Sequence, residues 1–344
     1  MYDWVIVGAG TAGIAALGKL LDEGNDPQKI CWIDPEFNAG DLGKSWYKVS
    51  SNTKVSLFTD YFKTFKAFEY DQNSDSMSQL DSEKTCELSY AANTLKATTQ
   101  KLIEKVQTIK GFVTQLKSGA NCTWQIIGKD IDVHTQKVIL AVGSEPNALP
   151  YSTPVLPMET ALNPDKLSSL DLQDKNIAIF GSSHSAVIVV QSLLKLNANV
   201  FNFYRSPTAY ALPMSNENGN WVLHDNTGLK GQTAEWAKAN LYHHSTPKLK
   251  RYYSNPENID EFLPQCDFAI YATGFTKRHI KIDDLTNHTY NAHNGIIAPG
   301  VYGIGIAYPE EVKDPYGHTE YNVGMYKFIK YLNRIFPIWE AYPN

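Results

Sequence analysis

The chain of 344 residues is poor in cysteine, and its few cysteines form no recognisable pair. They lie far apart in sequence, so neither a C-x-x-C redox dithiol nor a metal-ligand pattern is present. This spacing excludes a catalytic dithiol. We expect the thiols to be reduced and buried in the core, as free cysteines commonly are. The four are Cys31, Cys86, Cys122 and Cys266.

Runs of like charge and long apolar stretches are also missing. A net charge of -5 without clustered Lys and Arg argues against a nucleic-acid partner. No stretch reaches the roughly 18 apolar residues that span a bilayer, and the start lacks the basic segment of a signal peptide. We therefore expect a soluble, cytoplasmic protein that acts on a small molecule. The oligomeric state is left open.

A glycine-rich turn stands near the start of the chain, between an apolar strand at residues 4–7 and an apolar-periodic helix. It reads Gly-Ala-Gly-Thr-Ala-Gly, the spacing of a dinucleotide-binding turn. Its first glycine permits the tight turn, its second leaves room for a pyrophosphate, and its third lets the helix pack closely. Free N–H groups and the helix dipole then hold the phosphates. The predicted binding residues are Gly8, Gly10, Thr11, Ala12 and Gly13.

The next apolar strand, residues 30–33, ends in Asp34, which lies 21 positions after Gly13. A carboxylate there accepts hydrogen bonds from a ribose 2′-hydroxyl and repels a 2′-phosphate, so the ligand is NAD or FAD rather than NADP. We include Pro35 in this site. The alternative is a glycine-rich turn that holds no ligand.

A second turn of this kind lies in mid-chain, between an apolar strand at residues 177–180 and a helix predicted over 187–196. Ser183 takes the place of the second glycine, where it either crowds a pyrophosphate or donates a hydrogen bond to it. We assign His184 no chemical role. The predicted binding residues are Gly181, Ser182, Ser183, Ser185 and Ala186.

The strand after this turn, residues 199–204, ends in Arg205 and Ser206, where an NAD site carries an acid. A guanidinium suits a 2′-phosphate, so we predict NADPH rather than NADH at this second turn. The alternative is that Arg205 is a solvated charge and that this half is a structural βαβ unit.

Between and after the two turns, the pattern predicts further elements. Residues 89–107 have the spacing of an amphipathic helix. A small meander follows, with segments at 112–116 and 123–127 and a third around Val133, and then a separate apolar strand at 138–141. After a last apolar strand at 268–271, we expect the chain to return to the first domain.

Two such turns in this order resemble those of the flavoproteins with two dinucleotide folds. Each turn is paired with a later strand that ends in a short glycine-containing motif, which strengthens the resemblance. The residues concerned are Ala141, Val142 and Gly143 after one strand, and Ala272, Thr273 and Gly274 after the other.

Within that group, residues 43–46 (Gly-Lys-Ser-Trp), 51–54 (Ser-Asn-Thr-Lys) and 58–62 (Phe-Thr-Asp-Tyr-Phe) resemble motifs of the flavin-containing monooxygenases. Lys44 departs from the family, which has a glycine there. The resemblance implies that Asn52 contacts the isoalloxazine and the bound nicotinamide and is the catalytic candidate. It also implies FAD contacts from Trp46, Ser51, Thr53, Val113 and Gly305, the last in a segment similar to the strand that passes the ribityl chain.

We therefore predict an α/β fold of two three-layer, Rossmann-like domains, the second inserted into the first. Residues 1–165 and 266–344 form the predicted FAD-binding domain, and residues 166–265 the NAD(P)H-binding domain. The implied function is an FAD-dependent, NADPH-using monooxygenase. Two alternatives remain: an oxidoreductase that passes electrons to a quinone, a protein or dioxygen, and a non-turnover FAD-binding protein in which Ser183 closes the nicotinamide site.

Overall fold

The structure is a computed structural model that describes residues 1–120, 123–215, 218–219, 221–242, 246–283 and 290–342. Its strands are β1 (Tyr2–Val7), β2 (Ile30–Asp34), β3 (Ser50–Lys54), β4 (Thr85–Glu87), β5 (Gln107–Lys110), β6 (Val113–Ser118), β7 (Trp124–Gly128), β8 (Ile131–Leu140), β9 (Ser144–Pro146), β10 (Asn176–Phe180), β11 (Asn199–Tyr204), β12 (Met214–Ser215), β13 (Trp221–Val222), β14 (Leu249–Tyr253), β15 (Phe268–Tyr271), β16 (Phe275–Lys277), β17 (Lys281–Ile282), β18 (Ile296–Ala298), β19 (Val301–Gly303), β20 (Glu310–Lys313) and β21 (Thr319–Asn322). Its helices are α1 (Thr11–Asp22), α2 (Gly40–Lys44), α3 (Val55–Lys63), α4 (Leu88–Ile103), α5 (Met158–Ala161), α6 (Pro164–Ser168), α7 (His184–Lys195), α8 (Gly231–Asn240), α9 (Pro256–Phe262) and α10 (Met325–Ala341).

The first sheet is built around parallel strands in the order β5-β2-β1-β8-β19. Alternate residues of β1 face opposite sides, as the two-residue period of a strand requires. Trp4 and Ile6 pack with the helices of one face, while Val5 and Val7 pack under the meander of the other. This gives the three layers that were predicted, with a helical layer on one side and antiparallel strands on the other.

Strand β8 corrects the predicted meander. Residues around Val133 and the strand at 138–141 were expected to be separate, yet they form one strand of 10 residues. Its first half pairs antiparallel with β7, and its second half pairs with β19, while β1 occupies the other edge. Three consecutive polar residues, Thr135, Gln136 and Lys137, interrupt the apolar pattern of β8, so the sequence suggests two segments where the structure has one strand.

Two helices differ from their predicted bounds. The helix expected over residues 89–107 is α4, which ends at Ile103 because Gln107 already starts β5. The helix expected from residue 187 is α7, which starts at His184. Helix ends are the least determined part of a periodic pattern, since the terminal turn makes few core contacts.

The second sheet is entirely parallel, in the order β14-β11-β10-β15. The predicted boundary at 165 falls inside α6, and the one at 266 falls just before β15. Strand β15, which was assigned to the first domain by the boundary at 266, pairs with β10. Val155, before the boundary at 165, forms a bridge with Ala269, and α5 and α6 pack in the same core as α7. Elements that pack with the second sheet therefore run from Val155 to Tyr271, and the domain boundaries stay a prediction.

The chain crosses between the two units twice, and the crossings run side by side. Strand β9 leaves the first unit and pairs antiparallel with β16, which returns to it. Val49 of the first unit packs in the core of the second, with Trp46 and Leu88 beside it. The two units thus share apolar packing at their junction.

The cysteines are free where they are described, but only Cys31 is buried as expected. Cys86 and Cys266 are half-buried, and Cys122 lies outside the described residues. Burial raises the pKa of Cys31 to about 12 and those of Cys86 and Cys266 to about 11, so these thiols stay protonated at neutral pH. Among the described helices, none is both long and apolar enough to cross a bilayer.

The C-terminal helix α10 closes the helical layer through Trp339. The indole is fully buried, stacks on Tyr302 with ring centroids 4.8 Å apart, and donates a hydrogen bond of 2.6 Å to the carbonyl of Asn294. The hydroxyl of Tyr302 donates back to the Trp339 carbonyl. Trp339 therefore anchors the C-terminal end of α10, which also packs in the core through Ile335 and Phe336.

We predict that Trp339→Ala lowers the free energy of unfolding by about 3–5 kcal/mol, because it leaves a large cavity against Tyr302. The measurement is the first unfolding transition in urea. Ile338→Ala is the control, since Ile338 is 42% exposed and should change stability by no more than about 0.5 kcal/mol. Equal effects of the two substitutions would show that Trp339 does not hold the helix.

Candidate functional site

The first glycine turn is shaped by two close backbone approaches. Gly8 has a φ of +110°, and a Cβ there would lie 2.3 Å from the Ala141 carbonyl oxygen. A Cβ on Gly13 would lie 1.9 Å from the Gly8 carbonyl oxygen, which explains why α1 can start directly against β1. Gly10 differs, because its φ of -80° is ordinary and the nearest atom to a Cβ would be 4.0 Å away. Its lack of a side chain leaves open space in front of α1.

That space lies at an uncapped helix start. Helix α1 begins at Thr11, and no side chain of the described residues caps it. The first N–H groups of a helix have no partner within it and carry the positive end of the dipole. The start of α1 is thus available to an anion, as the glycine spacing predicts.

Asp34 is buried beside this turn, with 7% of its surface exposed. One carboxylate oxygen accepts the Ala9 N–H at 2.7 Å, and the other accepts the N–H groups of Glu36 and Phe37 at 2.8 and 2.7 Å. These bonds fix the carboxylate at the end of β2. Because each oxygen has two acceptor positions, Asp34 retains capacity for a ribose hydroxyl.

A first cleft of 320 Å³ opens along this edge of the sheet. It is bordered by the half-buried start of β6 on one side and by the loop after β8 on the other. The exposed ring of Phe112, at 69% exposure, stands at its wall. The predicted residues that line it are Gly8, Gly10, Asp34, Pro35, Val113, Ala141, Val142 and Gly143.

A second cleft of 380 Å³ continues from the first and reaches the second unit. Gly10, Asp41, Ala141 and Gly143 line both clefts, so the two adjoin, and together they are called the channel. Its far wall comes from α7 and from the segment before α10. The predicted residues that line it are Gly10, Thr11, Ala12, Trp46, Ser51, Asn52, Thr53, Ala141, Gly143, Ser185 and Gly305.

Asp41 and Arg278 form a bidentate ion pair where the two clefts meet. The guanidinium donates to both carboxylate oxygens, at 2.8 and 2.9 Å, and to the Val142 carbonyl at 3.2 Å. A Cβ on Gly143 would lie 2.8 Å from the guanidinium, so the arginine lies directly against that glycine. The pair ties the return crossing to α2 beside the phosphate-binding turn.

The segment at residues 43–46 keeps the glycine that the fold needs. A Cβ on Gly43 would lie 2.0 Å from the Asn38 carbonyl oxygen. Lys44, which departs from the family pattern, is exposed and forms an ion pair with Glu36 at the edge of the first cleft. A lysine is accommodated there because its side chain extends into solvent. Trp46 packs edge-to-face on Phe275, with ring centroids 5.9 Å apart, and lines the second cleft.

His184, to which the sequence assigned no role, reaches across to the first unit. It is the first residue of α7 and lines the second cleft. Its Nε2 lies 3.2 Å from the Ser50 carbonyl oxygen, which can only accept, so Nε2 is the donor. Its Nδ1 is buried and has no hydrogen-bond partner among the described residues. Burial lowers the pKa of His184, so the ring is neutral at pH 7 and Nδ1 is an acceptor.

The second glycine turn has the same construction as the first. Gly181 has a φ of +130°, and a Cβ there would lie 2.3 Å from the Ala272 carbonyl oxygen and 3.4 Å from the Ala186 side chain. Ser182 donates to the Ser206 carbonyl at 3.0 Å. The structure thus brings Gly181, Ser182, Ala186, Ser206 and Ala272 together.

Ser183 and Arg205 both face solvent at this turn. Ser183 precedes α7 and does not cap it, so the start of that helix also carries no cap from the described residues. Arg205 is exposed, and no ion pair or hydrogen bond links its guanidinium to the part of the chain that is described. Thr273 has a buried hydroxyl without a partner among the described residues, and Gly274 follows it with a φ of +96°.

The fold and the clefts together define a flavoprotein-type oxidoreductase with two dinucleotide-binding units. Comparison with known proteins agrees. The chain matches the family described as pyridine nucleotide-disulphide oxidoreductase over residues 2–230, and it belongs to this family. It is 32% identical to monooxygenase AgnR1 from Paecilomyces divaricatus across 387 aligned positions, which cover 98% of this chain and 97% of that protein. The chain is therefore an oxidoreductase, and the predicted resemblance is confirmed.

Solved structures share the whole fold at low identity. The ornithine N-hydroxylase of Kutzneria sp. 744, in a structure with reduced FAD, NADP⁺ and L-ornithine, matches with a TM-score of 0.69, 12% identity and 99% of each chain covered. The L-lysine 6-monooxygenase of Pseudomonas syringae matches with a TM-score of 0.68, 13% identity and full coverage of both chains. The predicted two-domain dinucleotide-binding fold is confirmed.

Sequence reasoning missed four residues that line or join the clefts. Asp41 and Arg278 lie 237 positions apart, so no local pattern could pair them. His184 was visible as the residue that follows Ser183, but its reach to Ser50 was not. Asn226 lies in a segment without periodic signal and lines the second cleft.

We predict that Gly10→Ala leaves the flavin-free protein as stable as the wild type but weakens FAD binding by about tenfold or more, because overpacking typically costs about 1–3 kcal/mol. Gly13→Ala should instead destabilise the protein itself, since its Cβ would strike the Gly8 carbonyl. Thermal unfolding of flavin-free protein and fluorescence titration with FAD separate the two effects. FAD binding to Gly10→Ala at wild-type strength would contradict this assignment.

Proposed function

We propose that this oxidoreductase is an FAD-dependent, NADPH-using monooxygenase that acts on a small molecule. The observation that carries the proposal is the single channel formed by the two clefts. It starts beside Asp34, passes the uncapped α1 and the Asp41–Arg278 pair, and ends in a largely apolar space against α7 of the second unit. A long ligand with an anionic middle and a flat apolar end fits the order of these surroundings along the channel.

FAD fits the first unit residue by residue. The pyrophosphate would lie at Gly10 and the start of α1, where space and free N–H groups coincide. Asp34 would hold the ribose, and Pro35 and Val113 would border the adenine side of the first cleft. The flavin ring would enter the second cleft, where Asn52 and Gly305 lie.

NADPH fits the second unit, with Arg205 as the determinant for phosphate. Its exposed guanidinium stands at the end of β11, where a 2′-phosphate would neutralise it. The Nδ1 of His184, which has no partner among the described residues, would suit an amide N–H such as that of the nicotinamide, and the buried Thr273 hydroxyl likewise has no partner in the described part of the chain. Ser183 is exposed, so its hydroxyl is free to turn away from the pyrophosphate or towards it.

FAD bound in this way would accept two electrons from NADPH and react with dioxygen, while the chain's own residues orient the reactants and exclude water. Asn52 lines the second cleft and is fixed in strand β3, where the Thr53 hydroxyl donates to its side-chain oxygen at 3.3 Å. It is the residue we assign to contact the flavin and the nicotinamide. Trp46 and Phe275, which pack edge-to-face, line the same cleft.

An anaerobic titration with NADPH tests the proposal. FAD-loaded protein should lose its absorbance near ~450 nm with one equivalent of NADPH. On admission of air, a delayed return of that band while NADP⁺ is bound supports a monooxygenase. Immediate return with stoichiometric hydrogen peroxide would favour an oxidase or reductase. No loss of absorbance would mean that Ser183 closes the nicotinamide site and that the protein only binds FAD.

The NADPH assignment makes a further prediction. Arg205→Ala should weaken NADPH binding by about 10- to 100-fold and leave NADH binding nearly unchanged, because a hydrogen-bonded charge pair contributes about 1.5–3 kcal/mol. Lys195→Ala removes an exposed cation at the opposite end of α7 and is the matched control. Equal losses for NADPH and NADH in the Arg205 variant would contradict the assignment.

A further inference from the structure

The second cleft contains almost no charge. Among the described residues that line it, Asp41 is the one ionised side chain, and Arg278 already neutralises it through two hydrogen bonds. The remaining polar groups are neutral hydroxyls, amides and the uncharged ring of His184. Among the described lining residues, an ammonium or carboxylate that left water for this cleft would therefore find no unpaired charge of opposite sign, and burial of an unpaired charge is strongly unfavourable.

Apolar side chains stand exposed at the mouth of the same cleft. Phe275, Ile306 and Val323 are each 40% exposed and come from three separate segments of the chain. Met325 and Phe328 continue this apolar surface inward. Because burial of apolar surface stabilises a complex in proportion to its area, these walls select an apolar ligand.

Asn226 is the polar group at this end of the cleft, and two elements hold it in place. Its backbone N–H and its side-chain amide donate to the carboxylate of Glu320 at 3.0 and 3.2 Å. Its amide oxygen accepts from Lys327. Glu320 is itself 5% exposed and also accepts from Thr227, at 2.9 Å from the hydroxyl. The amide carries two N–H groups, and the second has no acceptor among the described residues, so it is left for a ligand.

We infer that this cleft takes an uncharged, mainly apolar substrate with one oxygen acceptor, and that Asn226 orients it by donating to that oxygen. This inference rests on the proposed function for the identity of the site. A cleft that binds a charged amino acid would need an ionised side chain as a partner for each charged group of that ligand, and the lining of this cleft differs in that respect. Asn226 is a specificity-determining residue in this account.

The test is calorimetric titration of oxidised, FAD-loaded protein at pH 7 with four probes that share one naphthalene ring: 2-naphthol, naphthalene, 2-naphthoate and 2-naphthylmethylamine. We expect 2-naphthol to bind at least about tenfold more tightly than either charged probe. Binding of either charged probe as tightly as 2-naphthol, or no binding of 2-naphthol, would overturn the inference.

Asn226→Leu tests the orienting role. The substitution should weaken the binding of 2-naphthol by about 5- to 10-fold, because one hydrogen bond is lost, and it should leave the binding of naphthalene unchanged. Equal losses of affinity for 2-naphthol and naphthalene would mean that the substitution deforms the cleft and that Asn226 has no orienting role, and this outcome would overturn the assignment.

A carboxylate placed in the cleft tests the charge argument without Asn226. Ile306→Asp should gain binding of 2-naphthylmethylamine, whereas Ile338→Asp, at a similarly exposed position outside the cleft, should not. No gain in the Ile306 variant would overturn the argument. These titrations need no NADPH, so their outcome does not depend on that of the reduction experiment. If NADPH reduces the flavin but the charged probes bind tightly, the proposed function stands and only the inference on the substrate is rejected.

Discussion

The close packing of α1 against β1 is the constraint on which the rest of this molecule depends. Gly13 lies so close to the Gly8 carbonyl that any side chain would clash, and Gly8 in turn lies against the Ala141 carbonyl at the end of β8. These approaches bring three strand ends and one helix start together. The space in front of Gly10, the carboxylate of Asp34 and the loop after β8 all take their positions from this contact. The first cleft is a consequence of it.

The second unit repeats the arrangement and supplies the other side of the channel. Gly181 lies against Ala272 as Gly8 lies against Ala141, and α7 starts without a cap as α1 does. The junction between the units is apolar at Val49 and polar at His184, which donates to the Ser50 carbonyl. The second cleft therefore forms between two rigid turns. Its chemistry is set by loops and segments that each unit contributes.

The parts of the fold that were predicted are those determined by short-range patterns. Strand alternation, helical periodicity and glycine spacing act over a few residues, so both βαβ units, their turns and Asp34 were visible in the sequence. The single strand β8 and the place of β15 in the second sheet were not visible in the sequence, because a strand pairs with partners that lie far away along the chain. Of the candidate cleft residues, those of the first turn could be predicted from spacing alone.

The remaining cleft residues required the folded chain. Asp41 and Arg278 are 237 positions apart, His184 and Ser50 are 134 apart, and Asn226 and Glu320 are 94 apart. Each pair consists of common polar residues without a local motif. Their meeting depends on how the two crossings, β9 and β16, bring the units together. Such contacts set the charge balance of the channel.

We propose that the channel holds one FAD molecule, with its adenosine half in the first cleft and its flavin half in the second. Equilibrium binding of FAD, FMN and ADP to flavin-free protein is the measurement that tests this placement. We expect one FAD per chain, weaker binding of FMN, which lacks the adenosine half, and competition of ADP with FAD. Equal affinity for FMN and FAD, or no competition by ADP, would contradict it.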